Sequence, residues 1–132
     1  MVAACAEGVK AAEVRTQGVR VEPIPFSREL MAFRTHYRSY RLLLELLRRE
    51  RFDIVHVHTP VAAAIGRFAA WRAGVPNIIY TAHGFYFHEH MRFWERWFFI
   101  AIEWLLGRVT DVLLTQAEED AVAARRYNLC RG

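Results

Sequence analysis

The chain has 132 residues, a length that can bury one hydrophobic core. With 54% hydrophobic and 24% charged residues it has the composition of a globular domain and not of a disordered tail. A formal charge of +4, carried by arginine with Lys10 as the single lysine, suits anionic partners such as diphosphates or lipid phosphates. No nucleic-acid-binding signature and no aromatic-basic ladder accompany the arginines, so nucleic acid is not the expected partner. Cys5 and Cys130 make neither a metal-ligand spacing nor a disulfide framework, which fits a reducing cytoplasm. Cys5 reads as a small core residue. No basic-then-apolar leader pattern and no run of about 18 apolar residues is present.

In chain order the pattern alternates strand and helix. Val2 to Cys5 reads as a strand, Glu7 to Gln17 as a helix ended by Gly18, and Val19 to Phe26 as a strand weakened by Pro23 and Pro25. Ser27 is placed to cap the next helix, with Glu29 near its positive end. Along that helix Leu30, Phe33, Tyr37, Tyr40, Leu44 and Leu47 predict an apolar stripe. Its arginines, Arg34, Arg38, Arg41, Arg48, Arg49 and Arg51, predict a solvated face.

Asp53 to His58 is a short β-branched run of the kind that forms a buried parallel strand. Thr59-Pro60 gives an N-cap and a first helical position, and the helix Val61 to Ala73 closes at Gly74 before Pro76. Asn77 to Ala82 predicts a strand halted by His83-Gly84. The stretch 93–106 is a strongly aromatic helix interrupted by Glu95, Arg96 and Glu103. It suits either a core helix or an interfacial helix resting on lipid. Glu103 and Arg108 are candidates for a structural ion pair. Val109 to Thr115 completes the strands, and Ala117 to Tyr127 forms the last helix.

This spacing predicts an α/β fold with a parallel, doubly wound sheet and helices on both faces. Ligands of such sheets bind beyond the carboxyl ends of the strands. The candidate positions are therefore Ser27 and Arg28, His58 and Thr59, His83 and Gly84, and Thr115 and Gln116.

Several segments, in order, resemble the family-4 glycosyltransferases of the GT-B fold. They are Phe52 to Pro60, Thr81 to His88, Glu103 with Arg108 to Asp111, and Glu118-Glu119-Asp120; upstream, Gly18 to Val21 and Pro25 to Arg28 fit the same domain. The resemblance covers nearly the whole chain and is nearest to members that build capsule, exopolysaccharide and related cell-surface glycans. It implies a Rossmann-like N-terminal domain that faces a second, donor-binding domain across a cleft. The implied reaction moves a sugar from a nucleotide-diphosphate donor to a glycan or lipid-linked acceptor. No metal and no cofactor are implied, the nucleotide-sugar being a co-substrate. His83 is implied to reach the cleft beside the donor sugar, with Gly84 turning the backbone and His58 and Thr59 on the same rim. Amides after Thr59 are placed to receive an anionic group; Arg28 and Gln116 complete the candidate substrate-binding set.

The first βα unit and the C-terminal domain of the family have no counterpart in residues 1–132, so both ends read as cut and the chain alone is expected to be inactive. The implied location is the cytoplasm, at the inner face of the cell membrane, with the 93–106 helix as a peripheral contact.

Two other classes compete. His56 and His58 share one strand face, as two ligands of a metal-dependent hydrolase would, with His83, His88 and His90 as further ligands. The barrel that uses such a pair needs about 250 residues. His56 by itself reads as a hydrogen-bonded core histidine and His90 as a solvent-exposed loop residue, whereas for His83 strand end, adjoining Gly84 and the family resemblance together outweigh a turn or N-cap histidine without a ligand. A non-catalytic membrane or partner-binding module built on the Trp-rich helix is the third reading.

Overall fold

A computed structural model describes residues 1–87 and 91–130. Five strands alternate with five helices: β1 (Val2–Cys5), α1 (Val9–Thr16), β2 (Arg20–Pro23), α2 (Phe33–Glu50), β3 (Ile54–His58), α3 (Pro60–Ala73), β4 (Asn77–Ala82), α4 (Phe93–Gly107), β5 (Val112–Thr115) and α5 (Glu118–Tyr127). All strand pairs are parallel. They form two sheets, β1–β2 and β3–β4–β5. This is the expected α/β class, with a helix following every strand so that each parallel pair is joined by a helical crossover.

Helix α2 joins the two sheets through one core. Its Leu43, Leu46 and Leu47 are buried with Ile24 after β2, Ala69 and Ala70 of α3, and Ile78 of β4, and Ala4 and Val55 pack against the same group. A second cluster sets Ala63 of α3 on Tyr80 and Ala82 of β4. The third joins Phe87, Ile100 of α4 and Leu129. Gly66 makes the α3–β3 contact possible: a Cβ there would lie 2.6 Å from Val57 Cγ1. Gly107, at the end of α4, is in contact with the backbone of Leu129, whose carbonyl would collide with any added Cβ.

Several boundaries differ from the sequence expectation. Strand β2 ends at Pro23; the Ile24 N–H still reaches the Cys5 carbonyl at 3.0 Å, and Pro25 then has no N–H to carry the ladder further. Helix α2 starts at Phe33, not after Ser27. The Ser27 hydroxyl instead accepts the Glu29 N–H at 3.1 Å in a local turn, satisfying the backbone where a cap was expected. The buried face of α2 is Ser39, Leu43, Leu46 and Leu47, while Leu30, Phe33 and Tyr37 are exposed. Ser39 is accommodated because its hydroxyl donates to Pro25 O at 2.8 Å or Thr35 O at 2.9 Å. The arginines of this helix do form the solvated face, but Arg51 lies beyond the helix as a left-handed cap with φ 50°. Strand β5 begins at Val112 because α4 runs to Gly107 and the chain then turns.

Strand β3 is the largest departure. It is not buried: Ile54, His56 and His58 are exposed, and Val55 and Val57 are half-buried against α3. Among the described residues the strand pairs with β4 alone, leaving one of its edges unpaired. The β-branched run reported strand propensity correctly, and the burial depended on neighbours that the run does not encode.

Candidate active site at the strand ends

Strands β3, β4 and β5 end level with one another, His58 opposite Thr81 and Ala82 opposite Thr115. The residues just beyond these ends, His83 and Gln116, therefore arrive beside His58. His58 Nδ1 and His83 Nε2 lie 3.2 Å apart, and His83 Nδ1 lies 2.9 Å from Gln116 Oε1. His56 stands one turn of the pleat below, its ring centroid 4.3 Å from that of His58 and its Nε2 2.8 Å from the Thr81 hydroxyl. Three candidate residues from three separate sequence positions thus form one hydrogen-bonded row.

The backbone at both turns has positive φ. Gly84 has φ 106°, a conformation favouring glycine, so the chain reverses immediately after His83. Thr59 has φ 64° and precedes Pro60 at the first position of α3. Its side chain makes no capping bond; its carbonyl accepts the Ala63 N–H at 2.8 Å. The Val61 and Ala62 amides precede that first bond, in the helical turn where backbone N–H groups have no intrahelical partner. Beyond Gly84, the Phe85 N–H donates to Asp120 Oδ1 at 3.3 Å, holding the loop to α5.

Burial, with His56 and His83 as secondary like-charge neighbours, holds the His58 imidazole below the ordinary histidine range. At neutral pH His58 is accordingly an uncharged ring that accepts or donates hydrogen bonds.

The remaining candidates fall elsewhere. Arg28 is exposed in the segment after β2, on the other sheet, and among the described residues no ion pair ties it to the histidine row. His56 is not a core histidine: it is exposed, and its partner is Thr81. His88 and His90 lie outside the described residues. Among the described residues no group of three His, Cys, Asp or Glu is arranged to hold a metal ion. Nothing among the described residues supports the hydrolase reading: the facing nitrogens of His58 and His83 are turned to each other and His56 to Thr81.

Glu103 does not pair with Arg108. It takes Arg67 Nη2 at 2.8 Å, both side chains being buried, and the Arg67 guanidinium also lies 4.1 Å from the centre of the Tyr80 ring. Arg108 instead lies 4.3 Å from the Trp104 ring centre. Burial, reinforced by the Glu103 charge, pushes the Tyr80 phenol far above its ordinary value, so it stays protonated. Arg67 carried a usable signal: it is the one charge inside the apolar run Val61 to Trp71, where only a buried anion on another element could compensate it. Thr81 carried none, since its facing His56 depends on the β3–β4 register.

Fold and site together define an α/β domain with a cluster of imidazole and amide side chains at the carboxyl ends of a parallel sheet. The profile of the Glycosyl transferase 4-like domain matches residues 1–131, and the chain belongs to that family. It is 36% identical over 88 residues to the Bacillus subtilis (strain 168) protein EpsD, an alignment covering 65% of this chain and 23% of that protein. It is 36% identical over 78 residues to the Escherichia coli UDP-Gal:alpha-D-GlcNAc-diphosphoundecaprenol alpha-1,3-galactosyltransferase, covering 59% of this chain and 20% of the relative. The chain thus spans about a quarter or less of the length of these relatives. In fold it is similar to the crystal structure of Acinetobacter baumannii MurG, with a TM-score of 0.59 and 16% identity over 89% of this chain and 31% of that one.

Proposed function

We propose that residues 1–132 form the acceptor-side wall of a nucleotide-sugar glycosyltransferase that elongates a cell-surface glycan on a lipid-linked diphosphate. The observation that carries this reading is the row His58–His83–Gln116 at the strand ends of a chain belonging to the Glycosyl transferase 4-like family. The Escherichia coli relative, whose name specifies a UDP-galactose donor and a diphosphoundecaprenol-linked acceptor, supports the class of both substrates. His83 is the group set beside the donor sugar, His58 and Thr59 border the acceptor, and the free amides at the start of α3 receive diphosphate charge. No metal or organic cofactor takes part; catalysis consists of positioning and of stabilising charge on the departing diphosphate and the sugar ring.

The working location is the cytoplasmic face of the cell membrane. None of the described helices is long and apolar enough to cross a membrane. Helix α4 nevertheless exposes Phe93, Trp94, Trp97, Phe98 and Leu105, aromatic and apolar surface suited to the headgroup boundary.

Titration of the 15N-labelled 132-residue chain with a short-chain diphosphate-linked GlcNAc acceptor, and separately with UDP-galactose, tests the division of labour. The acceptor is expected to shift the amides of residues 58–62 and 83–85, and UDP-galactose to leave them in place. Binding of the nucleotide-sugar alone, or of neither compound, would overturn the acceptor-side assignment.

A further inference from the structure

We propose that Gln116 acts as a positioning residue which, through His83, leaves the Nε2 atom of His58 bare of hydrogen, so that the rim receives a hydroxyl of the acceptor sugar there. This rests on the glycosyltransferase reading and names the atom that meets the substrate.

The argument follows the hydrogens along the row. Gln116 Oε1 has lone pairs and no hydrogen, so His83 must carry its hydrogen on Nδ1 to bridge the 2.9 Å between them. A neutral His83 then has only a lone pair on Nε2. The 3.2 Å contact from His83 Nε2 to His58 Nδ1 is a hydrogen bond only if His58 supplies the hydrogen from Nδ1. A neutral His58 that holds its hydrogen on Nδ1 has a bare Nε2. Among the described residues that nitrogen has no protein partner, and His58 is exposed at the rim. The group that fits it must donate a hydrogen. A sugar hydroxyl does so; a fully ionised phosphate oxygen does not.

The reverse row has Gln116 donating from its amide nitrogen to His83 Nδ1; both rings then carry their hydrogen on Nε2, and Nε2–H of His58 faces the rim. The two rows therefore select opposite ligand chemistries, an acceptor for hydroxyls or a donor for anions. His58, held below the ordinary histidine range, enters the row as an uncharged ring at physiological pH.

Long-range 1H–15N correlation spectra of the histidines in the full 132-residue chain, recorded at about pH 8, above the ordinary histidine range, read the tautomers directly. The expected result is an Nδ1–H signature on both His58 and His83. Q116E, which keeps an acceptor oxygen, is expected to preserve that signature. Q116L is expected to release it, giving mixed tautomers at both rings. An Nε2–H signature on His58 in the unaltered chain overturns the proposal, as do unchanged tautomers in a folded Q116L chain. If Q116L fails to fold, the unaltered chain and Q116E still decide the polarity of the row. None of these signals depends on sugar transfer, so failure of the row and failure of the glycosyltransferase reading are told apart by the acceptor titration above.

Discussion

The two sheets are built to the same parallel plan and are held in different ways. Around β1–β2 the charges are outside: Arg20 bridges Glu22 at 3.2 Å and Glu50 at 2.9 Å, Arg49 joins Glu50 at 3.1 Å, and Glu7, before α1, pairs with Arg15 in its last turn. Around β3–β4–β5 the pair Arg67–Glu103 is inside, with Tyr80 against it. An exposed pair exchanges one well-solvated state for another and contributes little. A buried pair has lost its water, so each partner requires the other. Arg67 thereby locks α3 to α4 over β4, the strand whose end supplies His83, whereas the charges beside β1–β2 line the surface of a smaller unit.

Removing one member of the buried pair is the severest way to break this contrast. Arg67→Ala or Glu103→Ala is expected to destabilise the chain by about 3–5 kcal/mol in urea unfolding, because it strands an uncompensated charge. The joint replacement Arg67→Met with Glu103→Leu is expected to recover most of that loss. If the single and joint variants are equally unstable, the pair is not the reason α3 and α4 stay together.

A smaller effect is expected at the glycines. Gly107→Ala directs its methyl at the Leu129 carbonyl, a backbone atom that cannot rotate away, and overpacking of this kind costs about 1–3 kcal/mol. Gly66→Ala meets the Val57 side chain, which has some freedom to yield, so its loss in the same unfolding assay should be the lesser of the two. The opposite ranking would show that the α3–β3 contact, and not the α4 terminus, is the tighter joint.

Smallest of all should be Arg20→Ala. Its hydrogen bond to Glu50 holds the Glu50 carboxyl below the usual carboxylate range, yet Arg20 is solvent-exposed and Glu50 only half-buried. The expected shift in thermal midpoint is slight and disappears on adding salt, which screens surface charges. A large, salt-insensitive loss would mean that the β1–β2 unit depends on its charges as much as the other sheet depends on Arg67.

Much of this organisation was legible in the residues. The turn signals Gly74 and His83-Gly84 and the Thr59-Pro60 helix start each fell at the observed boundary, because they act within a few bonds of themselves. His58, His83 and Gln116 could be nominated together, since the carboxyl ends of parallel strands face one side of the sheet. Their contacts could not. The pairings of His83 with Gln116 and of Arg67 with Glu103 each span more than thirty residues, and they depend on strand register and helix packing.

Local chemistry therefore determined which segments are strands and helices and which polar residues stand at their ends. Tertiary structure alone decided that β3 has one edge unpaired among the described residues, that α2 buries Leu43 and Leu46 while exposing Phe33 and Tyr37, and that Glu103 belongs to Arg67 and not Arg108. The reason is range. Propensity, capping and turns act between chemical neighbours, whereas burial and ion pairing are settled by whichever distant segments the fold brings into contact.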